Sequence, residues 1–479
     1  MNRSILIVTP YFAPQSHAAV FRAYKLAKLL PRFGWKPYVL TVDTNYLYNE
    51  DWSLTGALPP EVEVTTARYI EPTLRGLRMA VGGEDRTFLA MKMRDAVRFV
   101  PEVKAPAGTT RQGLSKKLRD YVRERWQHAP DAYWTWYGPA VRAARSLIRK
   151  HEIPLVFTSA NPYTCHRIGA TLQQEGCRWI ADLRDPHTYC HHMHSRYEAV
   201  YARQRRLEDT AVRRADALTV ASSAIAMILS DTHGSEGARR ARFIPTGLDE
   251  ELLPPAGSER PRPFRYLLFS GEFLPDYGDE FLDIFAAALE RPEVQALGVK
   301  LLVVGRLDVN GPRMIPLLRK AGIEDHVELI DHVPQEELYR LLHGAEAGVL
   351  LDARRFRWWC LYAKMVDYIA MRKPVVALVS DPSEARTRLS HAGLGVFLDG
   401  DRERCASTLA DFLLGRAGRP DPVASECDRY LATAQVKSFV EIFEGLIRSG
   451  RRADAPDDAG HRHETMRPRT AETAALGQG

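Results

Sequence analysis

Disulfide cross-linking is the first thing this chain lacks. Its 479 residues hold six cysteines: Cys165, Cys177, Cys190, Cys360, Cys405 and Cys427. Their scatter offers no paired framework, which predicts a reducing compartment. No uninterrupted apolar run reaches spanning length, so no transmembrane helix is expected. The apolar residues 5–9 are too few for a secretory signal, and charges soon follow. A cytoplasmic location is therefore expected. Charge of one sign is also scarce: 66 Lys and Arg stand against 60 Asp and Glu. So mild a basic excess suits an anionic small molecule or a membrane surface and gives no case for nucleic acid.

What is present is alternation. Strand-like apolar runs occur at 5–9, 38–41, 61–65, 155–158, 179–182 and 217–221. Helical spacing predicts helices over 18–30, 141–150, 165–174 and 198–214. A second set follows, with strands at 266–270, 300–304, 327–330, 347–351, 375–378 and 395–398. Its helices are expected at 280–289, 314–321, 336–343 and 403–414. Such alternation predicts parallel sheets covered by helices on both faces. At this length the chain exceeds one ordinary core. The proline-rich stretch Leu-Pro-Pro-Ala-Gly-Ser-Glu-Arg-Pro-Arg-Pro (253–263) supports neither helix nor central strand and reads as a linker. The expectation is two Rossmann-like, doubly wound α/β domains facing each other across a cleft, at 1–252 and 265–425. A last helix within 426–448 follows, and then a disordered tail over 449–479.

The most informative stretch is Lys364-Met365-Val366-Asp367-Tyr368-Ile369-Ala370-Met371-Arg372-Lys373-Pro374-Val375-Val376-Ala377. It reads as a short helix running into a buried strand. Lys364 and Asp367 are three apart and share one face near the helix start. A helix N-terminus presents free N–H groups and partial positive charge to phosphate. A lysine adds full charge there, and a carboxylate accepts hydrogen bonds from a sugar diol. The combination suits a nucleoside diphosphate with its ribose. An ordinary amphipathic helix with a surface Lys and Asp fits the same residues.

Four segments, in order, resemble the retaining family-four glycosyltransferases of the GT-B fold. Residues 5–41 read strand, loop, helix and strand, as that family opens. Ala181-Asp182-Leu183-Arg184-Asp185-Pro186 resembles its ADxRDP variant. Ile244-Pro245-Thr246-Gly247-Leu248-Asp249 is similar to its IPNG(V/F)D segment, with Thr for Asn. Lys364 to Tyr368 is similar to its KxxEY donor motif, with Asp for Glu. The resemblance spans residues 5 to 448. It implies transfer of a sugar from a nucleotide-diphosphate donor to a saccharide or lipid-linked acceptor, with retention of configuration. It implies a role in surface polysaccharide or glycoconjugate synthesis, no resident cofactor, and a final helix crossing back to the N-terminal domain. Asp182, Arg184 and Asp185 would be catalytic. Gly271, Arg354, Arg355, Arg357, Lys364 and Asp367 would hold the donor. Ser16, His17, Asn161, Tyr163 and His166 would meet the acceptor.

The chain departs from the family where a basic residue is usual. Glu272 and Tyr277 occupy those positions in the loop after the 266–270 strand, and Trp359 stands where a Glu is common. A leaving diphosphate needs cations or N–H groups where its charge grows. The loop Arg354-Arg355-Phe356-Arg357-Trp358-Trp359 is a candidate substitute, since arginine forks match phosphate, with tryptophans to stack on a base or sugar; a solvated basic loop fits the same residues. These departures keep two alternatives open: a non-catalytic GT-B binding protein and a GT-B sugar-nucleotide epimerase. His187, Cys190, His191, His192 and His194 have acceptable zinc chemistry but lack a second distant cluster, so no metal is expected. Residues 86–126 carry 11 Lys or Arg against four Asp or Glu. With Leu89, Met93, Val97 and Val100 at helical spacing, this suits peripheral attachment to an anionic membrane on its inner face; a substrate-lid insertion that packs on its own domain fits the same residues.

Overall fold

The computed structural model describes residues 2–16, 18–43, 50–72, 76, 80–81, 118, 121–122, 125–126, 130–190, 197–234, 236–255, 262–352 and 357–449. His17, Arg354, Arg355, His191, His192, His194, residues 256–261 of the expected linker, most of 86–126 and the expected tail from 450 lie outside them. No described helix is long and apolar enough to cross a membrane. The chain forms two compact units. The first joins Met1–Asp249 to the final helix, and the second is Glu250–Tyr430.

The first unit is a seven-stranded parallel sheet. Its strands are β1 (Ser4–Val8), β2 (Lys36–Val42), β3 (Glu63–Ala67), β4 (Leu155–Ala160), β5 (Arg178–Leu183), β6 (Ala217–Val220) and β7 (Arg242–Phe243), in the order β3-β2-β1-β4-β5-β6-β7. β1 is Ile and Leu on both faces, every residue of it is buried, and it pairs with β2 and β4. Such a continuous apolar strand is what a sheet covered on both sides requires. Helices α1 (Ala18–Leu29), α2 (Tyr137–His151), α3 (Thr164–Gln174), α4 (Glu198–Arg214) and α5 (Ser223–His233) supply much of that cover. β7, only two residues long, is not signalled by the apolar runs.

The second unit is a six-stranded parallel sheet. It is made of β8 (Tyr266–Ser270), β9 (Lys300–Val304), β10 (Val327–Ile330), β11 (Ala347–Leu351), β12 (Val375–Leu378) and β13 (Gly395–Phe397), ordered β10-β9-β8-β11-β12-β13. The helices are α6 (Glu280–Leu289), α7 (Leu307–Ala321), α8 (Gln335–Gly344), α9 (Ala363–Ala370), α10 (Glu384–His391) and α11 (Arg402–Leu413). α7 begins seven residues before the sequence expectation and runs through Pro312 and Pro316. A proline lacks the N–H that would reach the carbonyl four residues back. Pro316 would reach Pro312, and Pro312 would reach Asp308, so both losses fall along one line of the helix.

The last helix, α12 (Ala432–Ser449), belongs to the first unit. Val436, Phe439 and Phe443 join the core beneath α1. Gln435 receives the Gly247 N–H at 2.7 Å, and the Ala432 N–H reaches the Leu248 carbonyl at 2.7 Å. A side chain at Gly247 would stand 2.4 Å from backbone atoms of Leu431 and Ala432, so only glycine allows this approach. The segment 244–249 is thus a seat for the helix.

Candidate functional site

Both sheets reverse their strand order once, between β1 and β4 in the first and between β8 and β11 in the second. Loops at the carboxyl ends of these strands diverge, which is where open α/β sheets take ligands.

In the second unit the loop after β8 turns at Gly271, whose φ of +101° lies in the region that disfavours side chains. Its N–H donates to the Val304 carbonyl at 2.8 Å, so it is not free for phosphate. Buried Asn310 of α7 staples the turn. Its Nδ2 donates to the Gly271 carbonyl at 3.0 Å, and its Oδ1 accepts from the Phe273 N–H at 2.8 Å.

Lys364 is the second residue of α9. Its ammonium sits 3.6 Å from the centre of the Phe269 ring and 5.7 Å from that of Tyr277. A Cβ on Gly271 would lie 3.7 Å from Nζ. Among the described residues no carboxylate lies within ion-pair distance of it. Lys364 is half-buried by area, yet its ammonium lies deep enough for burial to lower its pKa to about 7. Aromatic faces attract a cation weakly compared with an anion at contact. The amine is therefore desolvated and faced by rings, and an anion is the partner that would most favour its protonated form.

Asp367 lies one turn further along α9. Its Oδ1 accepts from the Tyr339 hydroxyl at 3.2 Å, and that hydroxyl accepts from Gln335 Nε2 at 2.5 Å. The carboxylate is thereby oriented from α8. Tyr362, just before α9, is buried, and its hydroxyl has no hydrogen-bond partner among the described residues. Burial first, then Cys360 and Asp352, pushes its pKa up. Burial pushes the Tyr277 phenol up to about 12, against the pull of the Arg357 guanidinium. Lys364 and Arg357 thus both act on the Tyr277 ring.

Glu272, unfavourable beside a diphosphate, has a cation of its own. Arg306 at the end of β9 places Nη1 3.6 Å from it while also gripping Asp308 at 2.9 Å. Tyr277 adds a ring to the Phe269 and Phe273 cluster that walls Lys364. Trp359 is buried, which removes it as a stacking face. Arg306, Asn310, Phe269 and Tyr362 are missing from the sequence reading. Only the strand-end position of Arg306 signals it beforehand.

In the first unit the strand-end residues are strongly cross-linked. Asp182 is fully buried, and Arg22 of α1 grips it with Nε and Nη2 at 2.8 and 2.7 Å. Ser159 and Thr219 donate to it at 3.0 and 2.7 Å. Burial alone would raise its pKa, but Arg22 and the two hydroxyls hold it below the usual carboxylate value. With four donors on two oxygens, Asp182 ties α1, β4, β5 and β6 together and has no lone pair left for a substrate proton. Arg184 donates to the carbonyls of Ala160, Ala19 and Asn161 at 3.0, 2.7 and 2.5 Å. It thereby joins the β4 and β5 loops to the start of α1, beside Ser16. Asp185 accepts from Asn161 Nδ2 at 3.4 Å.

Tyr163 is buried and donates to Glu208 at 2.5 Å. Glu208 also accepts from the Thr188 hydroxyl and meets His233 Nε2 at 2.8 Å. His166 is 1% exposed, with Nδ1 2.8 Å from the Thr158 hydroxyl. Burial lowers its pKa to about 4, so it is neutral at ordinary pH. Tyr163 and His166 therefore sit beneath the loop, whereas Ser16 and Asn161 remain half-buried at its surface. The basic residues of α1 are absorbed by the 244–249 segment. Arg22 reaches the Ile244 carbonyl at 2.7 Å, Lys25 the Gly247 carbonyl at 2.6 Å, and Lys28 pairs with Asp249 at 2.8 Å. His187 and Cys190 are described, and among the described residues no group of three or more His, Cys, Asp or Glu side chains converges on a metal position.

No protein-family model and no curated protein matches the chain. Solved structures do. A sucrose-phosphate synthase from Thermosynechococcus elongatus aligns over 93% of this chain and 99% of its own at 16% identity, with a TM-score of 0.58. Anabaena HepE in complex with UDP and glucose aligns over 92% and 100% at 14% identity, TM-score 0.56. WaaG, a glycosyltransferase of lipopolysaccharide biosynthesis, aligns over 93% and 100% at 14% identity, TM-score 0.52. Two parallel-sheet α/β units in one chain, aligned over 92–93% of that chain with these proteins, give it the GT-B fold.

Proposed function

We propose that this chain is a retaining glycosyltransferase that moves a sugar from a nucleoside-diphosphate donor to a saccharide or lipid-linked acceptor, in surface polysaccharide or glycoconjugate synthesis. The observation that carries this reading is Lys364: a desolvated ammonium without a carboxylate, at the start of α9 and at the switch point of the second sheet. A diphosphate supplies the missing anion, and the free N–H groups of the helix start add to its binding. As the glycosidic bond breaks, charge grows on the leaving phosphate. Lys364, held over the Phe269 ring, and Arg357 are cations for that charge, joined by Arg354 and Arg355 in this proposal. Asp367, oriented by Tyr339, accepts from the ribose diol. In the first unit Asp182 and Arg184 act as positioning residues, since their polar atoms hold backbone and neighbouring side chains. Ser16, His17 and Asn161 meet the acceptor in this reading, with Asp185 bonded to Asn161 beside them. That HepE was solved with UDP and glucose supports the choice of a nucleotide sugar.

The test is calorimetry with UDP, GDP, ADP and TDP, followed by nucleotide-sugar turnover with product mass analysis. Nucleotide binding together with a new glycosidic bond is expected. Binding without nucleotide release favours the non-catalytic reading. Conversion of the sugar within its nucleotide favours an epimerase.

We also place this enzyme on an anionic membrane, its cytoplasmic inner face being the expected one. Leu118, Val122 and Trp126 are helical, four apart, and exposed by 64, 57 and 48%. Beside this stripe Arg203 is held below the usual arginine pKa by burial and by Arg167, Arg125 and Arg206. An apolar stripe next to crowded guanidiniums suits acyl chains under anionic headgroups. Sedimentation with phosphatidylglycerol vesicles should fall with salt and on Trp126→Ser. Equal binding to neutral vesicles sinks the idea.

A further inference from the structure

A tryptophan that is well anchored and yet open to water stands beside the first switch point. Trp52 is 61% exposed. The Asp51 N–H donates to the Pro14 carbonyl at 2.7 Å, and Glu50 bridges Gln15 in the loop that leaves β1. Buried Gln15 fixes that loop from within, through its side-chain amide and the Pro10 carbonyl at 2.7 Å. Asp51 caps the short helix Trp52–Gly56 by accepting from the Ser53 N–H at 3.0 Å. The buried Tyr24 hydroxyl holds the Leu54 carbonyl at 2.8 Å. The indole N–H donates to Glu50 Oε2 at 3.1 Å, which fixes the ring beside a carboxylate.

Exposing so large an apolar ring is unfavourable, and a fold that holds it in place leaves a face for something else to cover. Among the described residues its chain neighbours Asp51, Ser53 and Thr55 are polar, which suits a polyhydroxylated ligand better than an apolar protein face. A single aromatic face with a carboxylate at its edge fits a pyranose. The C–H face of the sugar covers the ring, while its hydroxyls donate to Glu50.

We infer that Trp52 and Glu50 form a saccharide platform that holds a sugar unit of the acceptor at the rim of the β1 loop. This rests on the transferase reading for the identity of its ligand, and it adds a subsite on the first unit that needs no residue of the donor site.

The test uses the full chain. A printed array of neutral oligosaccharides identifies a bound saccharide, which is then titrated by calorimetry into wild type, Trp52→Ala, Trp52→Phe and Glu50→Gln. UDP is titrated into the same four proteins. Trp52→Ala should lose at least tenfold in saccharide affinity, Trp52→Phe should retain most of it, and Glu50→Gln should lose severalfold. UDP affinity should be unchanged throughout. Saccharide affinity within twofold of wild type in Trp52→Ala overturns the platform, as does a wild type that binds no saccharide on the array. If UDP fails to bind any of the four while the saccharide results hold, the donor reading falls and the platform stands.

Discussion

The loop faces of the two sheets differ in how their polar groups are satisfied. On the first, Asp182 takes four donors, Arg184 reaches three carbonyls and Glu208 gathers Tyr163, Thr188 and His233. On the second, Lys364 faces aromatic rings and the Tyr362 hydroxyl lacks a partner among the described residues. A satisfied network holds shape, because breaking it strands a buried charge. A cation faced by rings alone gains most from an anion. Residues of equal prominence in the sequence motifs thus belong to different kinds of work, and substitutions should separate them.

The largest effect is expected where the network is most complete. Arg22→Met leaves the Asp182 carboxylate buried without its cation and should destabilise the protein by about 3–5 kcal/mol. Asp182→Asn should cost less, since the amide keeps part of the bonding. Urea denaturation measures both. A stable Asp182→Asn protein that has lost all turnover would instead make Asp182 catalytic and erase the contrast.

The next effect is an acid limb. His166 has a folded pKa of about 4 against an ordinary 6.5, because burial disfavours its charged form. As pH falls, the unfolded chain binds this proton first. The stability contributed is therefore complete above about 6.5 and lost progressively down to about 4, by roughly 3 kcal/mol in total. In His166→Phe the urea midpoint should change less between pH 7 and pH 4.5 than in wild type. An identical acid limb in both proteins would mean that His166 is charged in the fold.

The sheets were legible because their central strands are short apolar runs separated by helical periodicity, and this pattern survives without any knowledge of contacts. α7 was only half legible. Pro312 and Pro316 read as breakers, and nothing local reveals that their missing donors line up. The site was legible along the chain but not across it. Lys364 stands at a helix start in the sequence reading and in the fold. Its walls, Phe269 and Tyr277, arrive from a strand and loop some ninety residues earlier. Arg22 and Asp182 are 160 positions apart. The motif around Asp182 marks a strand end near the first switch point, but says nothing of the four donors that occupy it.

A smaller effect tests the cation itself. Lys364→Ala should weaken nucleoside-diphosphate binding by about 1.5–3 kcal/mol, the range for a charge-assisted hydrogen bond. The pH dependence has a definite sign. Only the protonated amine attracts phosphate, and its pKa in the free protein is about 7. Affinity should therefore fall as pH rises from 7 to 9, where a terminal phosphate with pKa about 6 is already ionised. Binding at pH 8 should take up a proton, visible as a calorimetric heat that varies with buffer ionisation enthalpy. Lys364→Arg, always charged, should bind without that uptake. Affinity flat with pH in wild type would place the anion elsewhere.

The smallest effect carries the sharpest sign. The Tyr362 hydroxyl is buried at the start of α9 and bonded to nothing among the described residues. A buried hydroxyl without a partner costs free energy in the empty protein, so Tyr362→Phe should stabilise the free chain, by about 1 kcal/mol. If the same hydroxyl bonds the ligand that Lys364 attracts, the substitution should weaken nucleotide binding while strengthening the fold. Thermal melts without and with UDP measure both quantities on one sample: the free melt should rise, and the increment given by UDP should shrink. Stabilisation with an unchanged increment would leave the hydroxyl outside the nucleotide site. Destabilisation of the free chain would show that the hydroxyl is bonded in the fold, and the second loop face would then be closer to the first than the contrast allows.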